Sequence, residues 1–172
     1  MNPRFLSAGE EELEELINLY SEKLLRYAVS ILYNHQDAED IVQDVFISAY
    51  KNRKQFDGGN LSAWLYKITY NLSLNKRKQR KFLFFGDISS NTLPTYTPDF
   101  IGADSTLEAL GGLNIQERAL VYGRVVDGYS YEQLSEILGR TPVALRKQYE
   151  RAKKKIASQL EDIGKEKAYE RA

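Results

Sequence analysis

Apolar positions recur at helical spacing along most of the chain, and the fold they predict is all-α. From Glu11 to Tyr33, residues Leu13, Leu16, Ile17, Leu24, Tyr27, Ala28, Ile31 and Leu32 share one face of a long helix. Asn34-His35-Gln36-Asp37 breaks the pattern, and Asn34 or Asp37 can cap the next helix. That helix, predicted from Asp37 to Phe56, buries Ala38, Ile41, Val42, Val45, Phe46, Ala49 and Tyr50. Its first two turns gather Glu39, Asp40, Gln43 and Asp44. Acidic residues there suit the positive end of the helix dipole, and a docking surface for a partner is the alternative reading of the same residues.

Asp57-Gly58-Gly59-Asn60 reads as a loop, after which Asn60 or Ser62 can cap a third helix with the seam Leu61, Leu65, Ile68 and Leu72. Beside the seam runs a second stripe, Trp64, Lys67, Asn71, Asn75 and Lys78, ending in the basic run from Lys76 to Lys81. One aromatic, two amides and two lysines at helical spacing suit a nucleic-acid backbone and unstacked bases. A capped core helix with a solvated end is the plainer account of the same residues.

Residues 82–107 lose the helical period and are rich in Ser, Thr, Pro and Asn, which predicts a linker. Helical spacing resumes after it. Gln116 to Val126 predicts one helix, and Ser130 caps a short one from Tyr131 to Leu138. Gly139 stands where a helix-ending glycine belongs, and Thr141-Pro142 is a cap followed by a first-turn proline. The last helix carries Leu145, Tyr149, Ala152, Ile156 and Leu160 inward, and Arg146, Lys147, Gln148, Arg151 and Lys154 outward. Two short helices about a tight glycine turn, the second one basic, form a helix-turn-helix signature. The predicted architecture is two small helical domains, 1–81 and 108–172, joined by the linker 82–107.

Composition narrows the chemistry. Among 172 residues there is no Cys and a single His, so thiolate chemistry and a Cys-based zinc site are excluded, and no nucleophile motif accompanies His35. Binding is therefore expected rather than catalysis, with no cofactor and no metal. No segment reaches the apolar length of a membrane span, and the first residues lack a signal-peptide pattern, so a cytoplasmic protein is expected. Lys plus Arg and Asp plus Glu both number 24, yet the neutral sum hides a pattern: acidic residues lead, and basic ones cluster at 76–81 and 140–155. Two separated basic clusters and an acidic flank predict two nucleic-acid contacts and a protein partner.

Three blocks, DAEDIVQDVFISAYKN, FDGGNLSAWLYKITYNLSLNKRK and YSYEQLSEILGRTPVALRKQYERAKKKI, stand in the order found in the extracytoplasmic-function (ECF) sigma factors of the sigma-70 family, which the chain resembles over nearly its whole length. The resemblance implies a first unit (σ2) that docks on the clamp of core RNA polymerase through Asp37, Glu39, Asp40, Gln43 and Asp44. It implies that the same unit melts and reads the −10 promoter element through Phe56, Asp57, Asn60, Trp64, Lys67, Asn71, Asn75, Arg77 and Lys78. A second unit (σ4) then reads the −35 element through Arg140, Thr141, Ala144, Arg146, Lys147, Gln148, Arg151 and Lys154, and meets the polymerase flap. An anti-sigma factor is a further implied partner. The sequence departs from the family at Asn75, where many members are acidic, at Asn114, which replaces a frequent Pro, and over Pro142 to Lys147. Two other readings remain, a sigma-like regulator that does not direct initiation and a helical adaptor that ignores DNA. A linker of about 26 residues reaches roughly 85 Å when extended, enough for two groove contacts two duplex turns, or roughly 70 Å, apart.

Overall fold

Side-chain caps decide where most of the helices begin. The computed structural model describes residues 10–83 and 109–170, with side chains for 11–80 and 109–161, and every regular element among them is helical. These elements are α1 (Glu10–Leu32), α2 (His35–Lys51), a 3-10 turn (Arg53–Gln55), α3 (Leu61–Leu83), α4 (Ile115–Val125), α5 (Tyr131–Leu138) and α6 (Pro142–Glu170). Of the alternative caps, Asn34 serves α2, accepting from the Asp37 N–H at 2.8 Å. Asn60 serves α3 by accepting from the Ala63 N–H at 3.1 Å. Asn114 with Glu117 and Ser130 with Gln133 form reciprocal capping boxes on α4 and α5. Gly139, in the left-handed region at φ 67°, closes α5, and Thr141 Oγ1 accepts from the Ala144 N–H at 3.3 Å to start α6.

The predicted second helix ends early, at Lys51 rather than Phe56. The Asn52 side chain donates to the Ser48 carbonyl at 2.9 Å, and Arg53 Nη1 donates to the Tyr50 carbonyl at 2.7 Å. Side chains thus take the carbonyls that a further helical turn needs, and the backbone tightens into the 3-10 turn. Of the predicted linker, residues 82 and 83 continue α3 and the remainder lies outside the described residues.

Helices α1–α3 form one three-helix unit, and α4–α6 form a second around Leu120, Leu134, Ile137 and Leu145. Within the second unit, Gly123 permits close helix contact, since a Cβ there would lie 2.9 Å from Leu134 Cδ2. The two units then pack on each other, α4 against α1 and α5 against α3. Tyrosines make the joint. The Tyr27 and Tyr66 rings lie 4.7 Å apart between centroids, Tyr66 meets Tyr129 edge-on at 5.1 Å, and Tyr122 stands 6.0 Å from Tyr27. Ser62 Oγ and the Tyr129 hydroxyl share a hydrogen bond of 2.5 Å. The separate domains read from the sequence therefore bury one continuous core.

Asp127 sits at the joint, facing Tyr66 of α3 and Lys23 of α1, with Tyr129 beside it. Burial raises its carboxyl pKa from 3.8 to about 6, against the opposing pull of Tyr66 and Lys23. A carboxyl with a raised pKa favours the packed state when protonated. That contribution is complete below pH 3.8 and is lost as pH rises through about 6. That contribution is worth about 3 kcal/mol for a fully buried carboxyl, and roughly half that where solvent reaches the group. Wild-type stability in urea is accordingly expected to fall between pH 5 and pH 7.5 relative to Asp127→Asn, which removes this titration. Parallel curves for the two proteins would assign the pH response elsewhere.

Candidate nucleic-acid and polymerase interface

The loop before α3 is shaped by its own side chains. Asp57 Oδ1 accepts from the Gly59 N–H at 2.9 Å, and Gly58 turns the chain at φ 81°. Phe56, expected at the DNA, is instead 5 % exposed, with its ring centroid 5.2 Å from that of Trp64. Its burial follows from the early end of α2, which swings Phe56 beneath α3 as an anchor for the loop. Trp64 is half-buried over it. Lys67, Asn71, Asn75 and Lys78 stand exposed on α3, in the stripe their spacing predicted, and Asp57 and Asn60 are exposed in the loop. Arg77 departs from the stripe. It is half-buried and near Arg118 of α4, whose guanidinium is held below its usual pKa chiefly by burial, with Arg77 adding to the same direction.

On α2 the acidic residues divide into two groups. Asp37, expected to meet the polymerase, is buried, with Arg80 Nη2 at 2.7 Å from Oδ2 and Lys76 Nζ at 3.8 Å from Oδ1. Lys76 also reaches Asp40 at 3.3 Å, so part of the basic run answers the acidic helix of its own unit. Asp37 is thus a structural residue, whereas Asp40, Gln43 and Asp44 are exposed and Glu39 partly so. One turn further along stands Ile47, 51 % exposed, an apolar residue that the sequence pattern did not single out.

In the helix-turn-helix, Arg146, Lys147, Arg151 and Lys154 are exposed along one side of α6, and Thr141 and Ala144 are exposed at its start. Gln148, expected on this side, is 7 % exposed and lies on the buried seam. Leu145, Gln148 and Ala152 follow at three and four, so they face α4 and α5 while Tyr149 moves to the edge of the seam. Arg140 Nη2 donates to Gln116 Oε1 at 2.8 Å, tying the turn to α4. Lys155 Nζ donates to the buried Glu117 at 2.7 and 2.9 Å, so its charge holds α6 to α4.

Two residues of this surface were absent from the sequence reading. The Tyr131 ring lies beneath two guanidinium groups, Arg124 at 5.1 Å and Arg146 at 5.3 Å from its centroid. Arg124 is held by donating to the Tyr129 carbonyl at 2.9 Å. An aromatic in the first turn of the first helix, with Arg in the helix before it, was the available signal.

Residues 16–82 match Sigma-70 region 2, and residues 103–156 match Sigma-70, region 4. The ECF RNA polymerase sigma factor EcfG of Rhodopseudomonas palustris is 30% identical over 155 residues, covering 82% of this chain and 83% of EcfG. The chain belongs to the ECF sigma factors of the sigma-70 family. The ECF sigma factor SigW of Bacillus subtilis is 25% identical over 173 residues, 90% of this chain and 91% of SigW. SigE of Mycolicibacterium smegmatis is 28% identical over 161 residues, and the match spans 86% of this chain but 61% of SigE. Among solved structures, the sigma factor RpoE in complex with the anti-sigma factor NepR from Bartonella quintana superposes with a TM-score of 0.75 at 23% identity. It covers 88% of this chain and 98% of that one. CnrH, solved with the cytosolic domain of CnrY, superposes with a TM-score of 0.72 at 20% identity, covering 92% and 93%. Both share the fold of this sigma factor. Among the described residues, no helix is long and apolar enough to cross a membrane.

Proposed function

We propose that this sigma factor works in the cytoplasm by binding rather than catalysis, joining core RNA polymerase and directing it to promoters whose two elements its two units read. The observation that carries this is the exposed basic side of α6, set on a capped helix-turn-helix whose Gly139 turn fixes the entry of the helix. The exposed Asp40, Gln43 and Asp44 of α2, extended by Ile47, form the surface offered to the polymerase clamp. Trp64, Lys67, Asn71, Asn75 and Lys78 face the downstream element, where Trp64 supplies a stacking plane and the lysines attract the backbone. An anti-sigma factor is a further partner, by extension from the solved relative held by NepR.

Residues early in a recognition helix meet base edges, and later ones meet phosphates. Lys147→Ala is therefore expected to weaken binding to a matched upstream element by about 1–3 kcal/mol while barely changing binding to a scrambled one. Lys154→Ala is expected to weaken both DNAs alike. Titrating the two variants against both duplexes decides the assignment, and equal losses for both variants on both DNAs would remove the reading face from α6.

A further inference from the structure

The outward cations of α6 are held in two different ways. Leu145, Ala152 and Ile156 mark the centre of the seam that packs inward. Lys147 and Lys154 stand opposite that centre, whereas Arg146 stands on its flank, about 100° round the helix. Among the described residues, no hydrogen bond, ion pair or ring holds Lys147 or Lys154. Arg146 is equally exposed, yet its guanidinium carbon lies 5.3 Å from the centroid of the Tyr131 ring. One outward cation is stacked and the other two are free.

Tyr131 is itself fixed. It opens α5 directly after the Ser130 cap, and its ring meets Tyr149 edge-on at 6.2 Å. Arg124 lies 5.1 Å from the Tyr131 centroid, and its own Nη1 is tied to the Tyr129 carbonyl at 2.9 Å. The neighbouring Glu132 carboxylate is held below its usual pKa chiefly by hydrogen bonds with its own backbone N–H and with Ser130. Arg146 and Arg124 add to the same direction. A ring, a second guanidinium and a carboxylate therefore border the Arg146 fork. A free arginine has many rotamers, and ordering it on DNA opposes binding. A stacked one has lost that freedom at folding, and its planar fork keeps one plane. Phosphates accept lysines from many directions, so a fixed plane adds little there. A guanine edge offers O6 and N7 side by side, and only a fork lying in their plane meets both.

We propose that Tyr131, backed by Arg124, is a positioning residue that holds the Arg146 fork in the plane of a guanine edge in the upstream element. The proposal rests on the promoter reading above. Tyr131 does not touch the base; it acts through Arg146. The recognition helix then has a preset arginine on its flank and mobile lysines on its crest, which follow the groove.

The full-length protein with core polymerase is titrated, at one salt concentration, against a selected upstream element, its single-base-pair variants and a scrambled duplex. Arg146→Ala is expected to lose about tenfold of discrimination at one G·C pair. Tyr131→Leu is expected to lose roughly three- to fivefold at that same pair, with unchanged affinity for the scrambled duplex. Tyr131→Phe, which keeps the ring and removes the hydroxyl, is expected to behave as wild type. Arg146→Lys, which keeps the charge without the fork, is expected to match Arg146→Ala at that pair. A measurement on the unmutated free chain stands beside these variants, should Tyr131→Leu fail to fold. By NMR relaxation, the Arg146 Nε–H is expected to be more ordered than that of Arg151, which no ring holds among the described residues. Three results overturn the positioning role alone: Tyr131→Leu weakening every duplex alike, Tyr131→Phe as impaired as Tyr131→Leu, or Arg146 as mobile as Arg151. Arg146→Ala keeping every base preference overturns it as well. A wild-type holoenzyme that does not separate the selected from the scrambled duplex overturns the promoter reading, and the positioning role with it.

Discussion

Tyr66→Ala is expected to lower stability by about 3–5 kcal/mol, the range for removing a large aromatic from a packed core. Tyr66 is 1 % exposed and touches aromatic rings on both sides of the joint, Tyr27 and Tyr129. The cavity therefore opens between units rather than within one, where collapse requires both to move. Two consequences separate this from an ordinary core truncation. Unfolding should lose cooperativity, because the second unit no longer shares a core with the first. Tyr66→Phe, which keeps the ring and removes only the hydroxyl facing Asp127, should retain a single transition at a cost of about 1 kcal/mol. Calorimetry on both variants checks this, and a single sharp transition for Tyr66→Ala would show that the joint contributes little to cooperativity.

The second large effect is an asymmetry. Asp37 is 7% exposed and its partner Arg80 is 41% exposed, so the two ends of this ion pair respond differently to loss of the other. Arg80→Met leaves a buried carboxylate with only Lys76 nearby, at 3.8 Å. Leaving a charge buried and uncompensated costs about 3–5 kcal/mol, which Lys76 should reduce to roughly 2–3 kcal/mol. Asp37→Asn leaves an arginine that reaches water, and about 1 kcal/mol is expected. Urea midpoints of the two variants give the order directly. Equal losses would mean that the pair acts as an exposed one despite the burial of Asp37.

Helix starts were legible because they depend on neighbours in sequence. Asn34, Asn60, Ser130 and Thr141 each lie within three residues of the N–H they satisfy, and Gly139 needs only its own backbone freedom. Asp44, Lys67, Asn71, Lys147 and Lys154 stand exposed for the same local reason, helical spacing from an apolar seam. What failed were decisions taken by distant partners. The seam of α6 offered Gln148 and Tyr149 as adjacent candidates, and hydropathy chose the tyrosine. The actual geometry turns Gln148 inward and leaves Tyr149 at the edge, against Tyr131. Asp37 read as a docking residue because nothing local announces that Arg80 and Lys76 will return to it. The tyrosine joint was invisible for a related reason: periodicity shows that a face is apolar but not what covers it.

The covalent connection between two packed units has a consequence for competition. A tethered occupant acts at an effective concentration set by its linker, of millimolar order for short flexible chains. Any outside molecule that needs the tyrosine face of the first unit therefore competes with a partner that cannot be diluted away. Its apparent dissociation constant is the intrinsic one divided by the fraction of chains that are open. If one chain in a hundred is open, affinity for that face is a hundredfold weaker than for the severed unit. Ligands of the exposed side of α2 suffer no such penalty, so the same chain presents one surface at full strength and another at a discount.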